Sequence, residues 1–211
     1  MHDLSDGVAR FQHDVFPGKA GLFAHLAATH RPATLFIGCS DARVVPELIT
    51  QSEPGELFVI RTAGNLVPAY TPGPDGVTAS IEYAVAVLGV TSVVVCGHSA
   101  CGAMTALAEG TDLRTTTAVA GWLRHADASL ARLPETGPDR VDTLVRENVR
   151  AQLTSLATHP SVARALARDT LTLHGWVYDI ASGTVTDITP EARTRPEAGP
   201  VGDRPAAALT H

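Results

Sequence analysis

The chain has 211 residues, 45% of them hydrophobic, and a formal net charge of −6, which is enough for one sizeable globular core; the acidity and the scattered basic residues argue against a nucleic-acid partner. No apolar run approaches the roughly 20 residues of a membrane helix, and the opening MHDLSDGVARFQHDVF has no basic segment leading into an apolar signal core. A cytoplasmic location is therefore expected, in which the three cysteines stay reduced and available for metal.

Residues 1–28 read as an arm of polar-apolar helical segments broken at Pro17-Gly18. A catalytic α/β domain is expected over 29–189. Within it, short apolar runs with turn residues close by predict strands near residues 34–38, 57–61 and 92–97. The second and third runs are separated by YTPGPDG and a helix from about Val77 to Leu88. A strand, a crossover and another strand predict a mainly parallel central β-sheet flanked by helices, with ligands at its carboxyl edge. SACGAMTALAEG reads as a helix starting near Ser99. Over 139–158, Val141, Leu144, Val145, Val149, Leu153 and Leu156 recur at helical spacing and predict a packing helix whose solvated face carries Arg146, Glu147 and Arg150. TLTLHGWVYDIASGTVTDI alternates and turns at Ser182-Gly183, as a hairpin or two late strands would, with His174 and Trp176 read as a strand histidine and a packed indole. Residues 190–211, rich in Pro, Ala and charge, are expected to be a disordered tail.

The chemistry concentrates in two blocks, TLFIGCSDAR and SVVVCGHSACG, each an apolar run closing on polar residues. Cys39, His98 and Cys101 are ligands of the softness Zn²⁺ prefers, and a Cys₂His set leaves one tetrahedral position open, as catalytic zinc sites do. Cys96, inside the apolar run, reads as a small buried hydrophobe. Asp41 and Arg43 follow the first cysteine closely. In isolation they would be an ordinary surface ion pair or a helix cap, but beside Cys39 they suggest a carboxylate held ionised by a charge-assisted pair. Free N–H groups at a helix start near Gly102 would point toward the metal and stabilise a developing negative oxygen, although Gly102 equally suits close packing alone.

C-S-D-A-R followed by G-H-S-A-C-G resembles the β-class carbonic anhydrases, and the similarity runs on through EPGELFVIRTAGN, SIEYAV and HGWVYDI, covering about residues 30 to 185. The resemblance implies reversible hydration of CO₂ to bicarbonate and a proton by zinc-bound hydroxide, on a dimerising α/β fold. It implies Cys39, His98 and Cys101 as zinc ligands and Asp41 with Arg43 as a catalytic dyad. His30, Phe58, Ala63 and Tyr83 fall where the family has its substrate pocket, with His30 standing where many members have a glutamine donor. It also implies that the N-terminal arm, through Phe11, Val15, Phe16 and Leu22, wraps a partner subunit in a homodimer or a dimer of dimers. In some relatives bicarbonate is held by Trp, Arg and Tyr in an inactive state; Arg61 and Tyr178 match, but Phe36 replaces the Trp, so an open site is expected. Hydrolysis of CS₂ or COS on the same scaffold, or a noncatalytic zinc sensor with Asp41 on the metal, are the alternatives.

Overall fold

The computed structural model of the chain, which describes residues 3–137 and 139–190, is organised around a five-stranded sheet in the order β2-β1-β3-β4-β5. β1 (Thr34–Cys39), β2 (Leu57–Thr62), β3 (Ser92–His98) and β4 (Thr172–Tyr178) run parallel, and β5 (Val185–Asp187) returns antiparallel to β4. The mainly parallel α/β fold is the one expected. Each of the first three strands runs one residue further than its apolar stretch indicated, so Cys39 and His98 themselves become ladder residues, paired with Thr62 and Tyr178. The ladder continues because backbone hydrogen bonding does not need an apolar side chain.

Alternation sends Leu35, Ile37, Val93 and Val95, all fully buried, to one face of the sheet, and Phe36, Val94 and Cys96 to the other. The first face is covered by helices, chief among them the one predicted over 139–158. In chain order the helices are α1 (Leu4–Arg10), α2 (Phe16–Ala28), α3 (Pro46–Thr50), α4 (Gly76–Glu82), α5 (Gly102–Glu109), α6 (Thr117–Leu123), α7 (Asp127–Leu130), α8 (Arg140–Leu156) and α9 (Pro160–Ala167). Leu144, Val145, Val149, Leu153 and Leu156 of α8 are buried as their spacing required, while Arg150 and Glu147 pair on its outer side. α8 lies unusually close to the sheet: a Cβ on Gly97 of β3 would come within 2.9 Å of Val149 and 3.0 Å of Val145, and one on Gly175 of β4 within 3.0 Å of Leu153. Glycines in these strands are the condition for that approach. On the other face Trp176 packs edge-on against Phe36, ring centroids 6.5 Å apart, as a packed indole should.

The arm differs from expectation in one respect. Its irregular stretch is a wide π-type turn over Phe11–Val15, before Pro17 rather than at it, and Pro17 sits in the first turn of α2. There its missing N–H has no intrahelical partner to lose, so proline starts the helix instead of breaking it. α1, the wide turn and α2 contain no buried residue, and Leu4, Val8, Phe11, Val15 and Phe16 are all exposed. The helix expected over 77–88 is α4, capped by the Asp75 carboxylate on the Thr78 N–H and continued by a π-type turn, Tyr83–Leu88. Apart from Pro190, the tail expected over 190–211 lies outside the described residues.

Replacing Gly97 by alanine forces a methyl group between β3 and α8. It is expected to destabilise the protein by about 1–3 kcal/mol, the usual range for overpacking a tight core, as read from urea unfolding. A loss near zero would mean that α8 is free to slide away from the sheet.

Candidate metal centre

From β1 the chain moves outward to β2 and then returns across the sheet to β3, on the opposite side of β1. Connections that leave neighbouring parallel strands in opposite directions open a crevice at the strands' carboxyl ends. Cys39 ends β1 and His98 ends β3, so both stand at this crevice. Cys101 arrives by a short turn in which Ala100 takes a left-handed conformation, φ 52°, and it becomes the N-cap of α5. The Sγ atoms of Cys39 and Cys101 and an imidazole nitrogen of His98 all lie within 4.8 Å of one another, and all three residues are buried. Cys96 is not part of this group. It is fully buried on the opposite face, and burial pushes its thiol up to about 12, which fits the hydrophobic role.

The state of the histidine follows from its neighbours. His98 Nδ1 is 2.9 Å from the Ser99 carbonyl oxygen, which can only accept, so Nδ1 carries the hydrogen and Nε2 presents a bare lone pair. That Nε2 is buried and has no hydrogen-bond partner among the described residues. A buried acceptor facing two thiols is costly as it stands. The thiols share the difficulty: Cys39 is held below the ordinary thiol range, chiefly by hydrogen bonding with Cys101, against the opposing effect of burial. Cys101 is pushed up, first by Cys39 and then by burial. The pair releases one proton readily and resists losing the second. A divalent ion removes both difficulties, and a Cys₂His donor set of this spacing fits zinc, whose tetrahedral donors stand about 3.5–3.8 Å apart. The free N–H groups of α5 serve the same cluster. The helix opens at Gly102 rather than near Ser99, and the N–H groups of Met104 and Ala103 ease the charge on Cys101.

Asp41 lies beside the cluster without joining it, its Oδ2 3.8 Å from His98 Nε2. Arg43 grips it in bidentate fashion, Nε to Oδ1 at 2.9 Å and Nη2 to Oδ2 at 2.7 Å, and its backbone N–H adds a bond to Oδ1 at 3.0 Å. These bonds hold the Asp41 carboxyl well below the usual carboxylate range. Nη2 of Arg43 also donates to the Ala100 carbonyl at 3.1 Å, tying the loop after β1 to the turn after β3. Two further contacts went unread in the sequence. Arg61 donates from Nε to Cys39 O at 3.1 Å and from Nη2 to Asp41 O at 2.7 Å and Val44 O at 2.8 Å, so its guanidinium is spent on the backbone around the first ligand. The resemblance singled out Arg61 for an anion pocket and not for these bonds; in the structure it pairs with Gly38 across β1 and β2, where an absent side chain leaves room for a long one. The N–H of Gly64, in the turn that follows β2, donates to Cys39 Sγ at 3.4 Å.

Of the pocket residues, His30, Phe58 and Tyr83 form a row of rings, with centroids 6.4 Å apart for the first pair and 6.1 Å for the second. Ala63 follows Thr62, the ladder partner of Cys39, and its carbonyl accepts from Trp122 Nε1 at 2.9 Å. Phe36 is fully buried and Tyr178 packs against its cluster.

A family model described as carbonic anhydrase matches residues 34–185. A carbonic anhydrase of Pseudomonas aeruginosa is 54% identical over 99% of this chain and 100% of its own length, and carbonic anhydrase 1 of Escherichia coli O157:H7 is 53% identical over 88% and 86%. Among solved structures, the β-carbonic anhydrase CcaA superimposes with a TM-score of 0.84 at 40% identity, over 87% of this chain and 92% of that one. A tetrameric β-carbonic anhydrase of Sordaria macrospora does so with 0.76 at 31%, over 88% and 94%.

Substituting Cys101 by alanine is expected to abolish stoichiometric metal on the purified protein, as read by elemental analysis after dialysis, while Cys96→Ala retains it. Metal retained by Cys101→Ala and lost by Cys96→Ala would reverse the assignment of the two thiols.

Proposed function

The chain belongs to the β-class carbonic anhydrase family and catalyses the zinc-dependent, reversible hydration of CO₂ to bicarbonate and a proton, and from that premise we propose how its own residues divide the work. Cys39, His98 and Cys101 hold the zinc ion. When bound, the ion supplies Lewis acidity that makes water a competent nucleophile near neutral pH. Two thiolates offset the ion's formal charge and weaken that effect, so the surrounding residues carry more of the burden than they would beside neutral ligands. Asp41 supplies the orientation. Being ionised, it can only accept, and the bidentate grip of Arg43 fixes it beside the ligand cluster, where it would accept the O–H of the attacking oxygen and aim that oxygen's lone pair at the CO₂ carbon. Arg43 keeps the carboxylate off the ligand cluster, and through Ala100 it keeps the two loops in register.

The observation that carries this reading is the clamped carboxylate beside a buried, partnerless His98 Nε2. It also speaks against the noncatalytic module, since a carboxylate that closes the metal has no use for a guanidinium holding it aside. The row His30, Phe58 and Tyr83, with Ala63, forms an apolar approach suited to a linear nonpolar molecule, and His30 is the donor in place of a side-chain amide. Gly102 serves the ligand end of α5.

The exposed Phe11, Val15 and Phe16 of the arm support a homodimer in which these residues and the half-buried Leu22 pack on a second copy, and the tetrameric relative supports a further pairing of dimers. A reducing, cytoplasmic setting is supported by three free cysteines; among the described residues no helix is long and apolar enough to cross a membrane.

Stopped-flow CO₂ hydration on zinc-loaded protein tests the whole reading. Wild type is expected to turn over rapidly, and Asp41→Ala to retain zinc while losing most of its turnover, about 100-fold or more, in the range for a positioned proton acceptor. Loss of zinc from Asp41→Ala would make the carboxylate a ligand instead. Deleting residues 1–28 is expected to convert the dimer to monomer in sedimentation; an unchanged mass would remove the arm from the interface.

A further inference from the structure

A buried polar chain runs from the interior of α8 to the first metal ligand. Asn148 and Gln152, one turn apart on α8, are both 0% exposed, as is Ser129 of α7. Asn148 Nδ2 donates to the Gly64 carbonyl at 2.9 Å, while its Oδ1 accepts from Gln152 Nε2 at 2.9 Å and from Ser129 Oγ at 3.2 Å. Gln152 Oε1 accepts the Val67 N–H at 2.8 Å, and its Nε2 also reaches the His125 carbonyl at 3.2 Å. The two amides thus hold the turn after β2 at both ends, at Gly64 and at Val67, and Gly64 presents its own N–H to Cys39 Sγ.

The turn is tightly built. Gly64 and Asn65 take consecutive left-handed conformations, φ 72° and 49°, the region that Gly and Asn enter most readily, and the buried Asn65 Nδ2 has no partner among the described residues. Gly64 has no slack, because a Cβ there would meet Ala103 at 3.0 Å and Met104 at 3.2 Å, both on the helix that Cys101 caps. The bonds from α8 to Gly64 and Val67 bracket this turn and so bear on where its N–H points. We propose that Asn148, seconded by Gln152, is a positioning residue for zinc, acting through Gly64 to aim the N–H that supports the Cys39 sulfur. The proposal rests on Cys39 being a zinc ligand. α8 is pressed against the sheet at Gly97 and Gly175, so its polar residues sit at a fixed depth, and the same packing that builds the core sets the position of the donor.

The test compares Asn148→Ala with Val162→Ala, a buried core substitution in α9 whose side chain makes none of these hydrogen bonds. Each folded protein is loaded with zinc and, separately, with Co²⁺ as a spectroscopic probe. Asn148→Ala is expected to weaken zinc binding about 10- to 100-fold in chelator competition, the usual effect of removing a partner behind a ligand, and to shift the thiolate-to-cobalt absorption. Val162→Ala is expected to lower the melting temperature with zinc affinity and cobalt spectrum unchanged. Should Asn148→Ala not fold, Gln152→Met, which releases Val67 and one bond of Asn148, is expected to change affinity and spectrum in the same direction. Wild-type affinity and spectrum in the folded Asn148 or Gln152 variant overturn the proposal alone, as does an equal change in Val162→Ala. Absence of any thiolate-to-cobalt band in the wild type overturns the ligand assignment, and the proposal with it.

Discussion

Because β1 and β3 are parallel neighbours in register from Thr34 opposite Ser92 to Gly38 opposite Cys96, their carboxyl ends stop side by side, and whatever residue ends each strand is delivered to the same place. The rest of the centre follows from that pairing. One strand ends in a thiol and the other in an imidazole, and the turn after β3 is short enough to return a second thiol as a helix cap. The connections then diverge, since β2 lies on one flank of β1 and β3 on the other, which is the arrangement at whose carboxyl edge α/β sheets take their ligands. A slip of one residue in this register would send Cys39 to the opposite face of the sheet and dismantle the cluster.

Bringing two thiols and an imidazole lone pair together in a buried place is unfavourable without a cation, and the surroundings are arranged accordingly. Donors converge on the sulfurs from several elements: Gly64 N–H on Cys39, the first N–H groups of α5 on Cys101. Cations are kept one step away. Arg43 is spent on Asp41 and Arg61 on backbone carbonyls, so neither guanidinium takes the position that a metal ion would fill. The arginines therefore act as struts. They stiffen the loop from Cys39 to Val44 and leave charge compensation of the sulfurs to the ion.

What the sequence disclosed and what it hid divide along a physical line. Apolar periodicity is a property of single segments, so the strands, the long helix α8 and the late pair β4 and β5 were legible to within a residue or two. The Cys39, His98 and Cys101 group was legible because Cys and His at strand ends have few other uses, and the Asp41–Arg43 ion pair was legible because its members stand two and four residues from Cys39. Asn148 and Gln152 gave no such signal. As polar side chains they stand outside the apolar periodicity, and it is the packing of α8 close against the sheet, at glycines far away in sequence, that puts them in the interior. The bonds of Arg61 were hidden likewise, its carbonyl partners lying at the end of β1 and in the loop that follows it. Pro17 misled for a local reason, since a proline breaks a helix or begins one according to its position relative to the first turn.

The substrate explains why support is concentrated behind the metal and not in front of it. CO₂ is small, linear and uncharged, and it offers no group by which a binding site could take hold of it. Selectivity and rate must then come from the nucleophile, whose position is set by the ligands and whose orientation, in the proposed division of work, is set by Asp41. Rigidity at the back of the site, through the β1–β3 ladder, the Arg43 and Arg61 bonds and the buried amides of α8, is where a fixed nucleophile is made. In the proposed division of work the row of Phe58, Tyr83 and His30 has only to admit the molecule, and Tyr83 remains 44% exposed. A rigid back and a permissive front are thus two consequences of one fact about the substrate, which carries no charge that the protein could use to orient it.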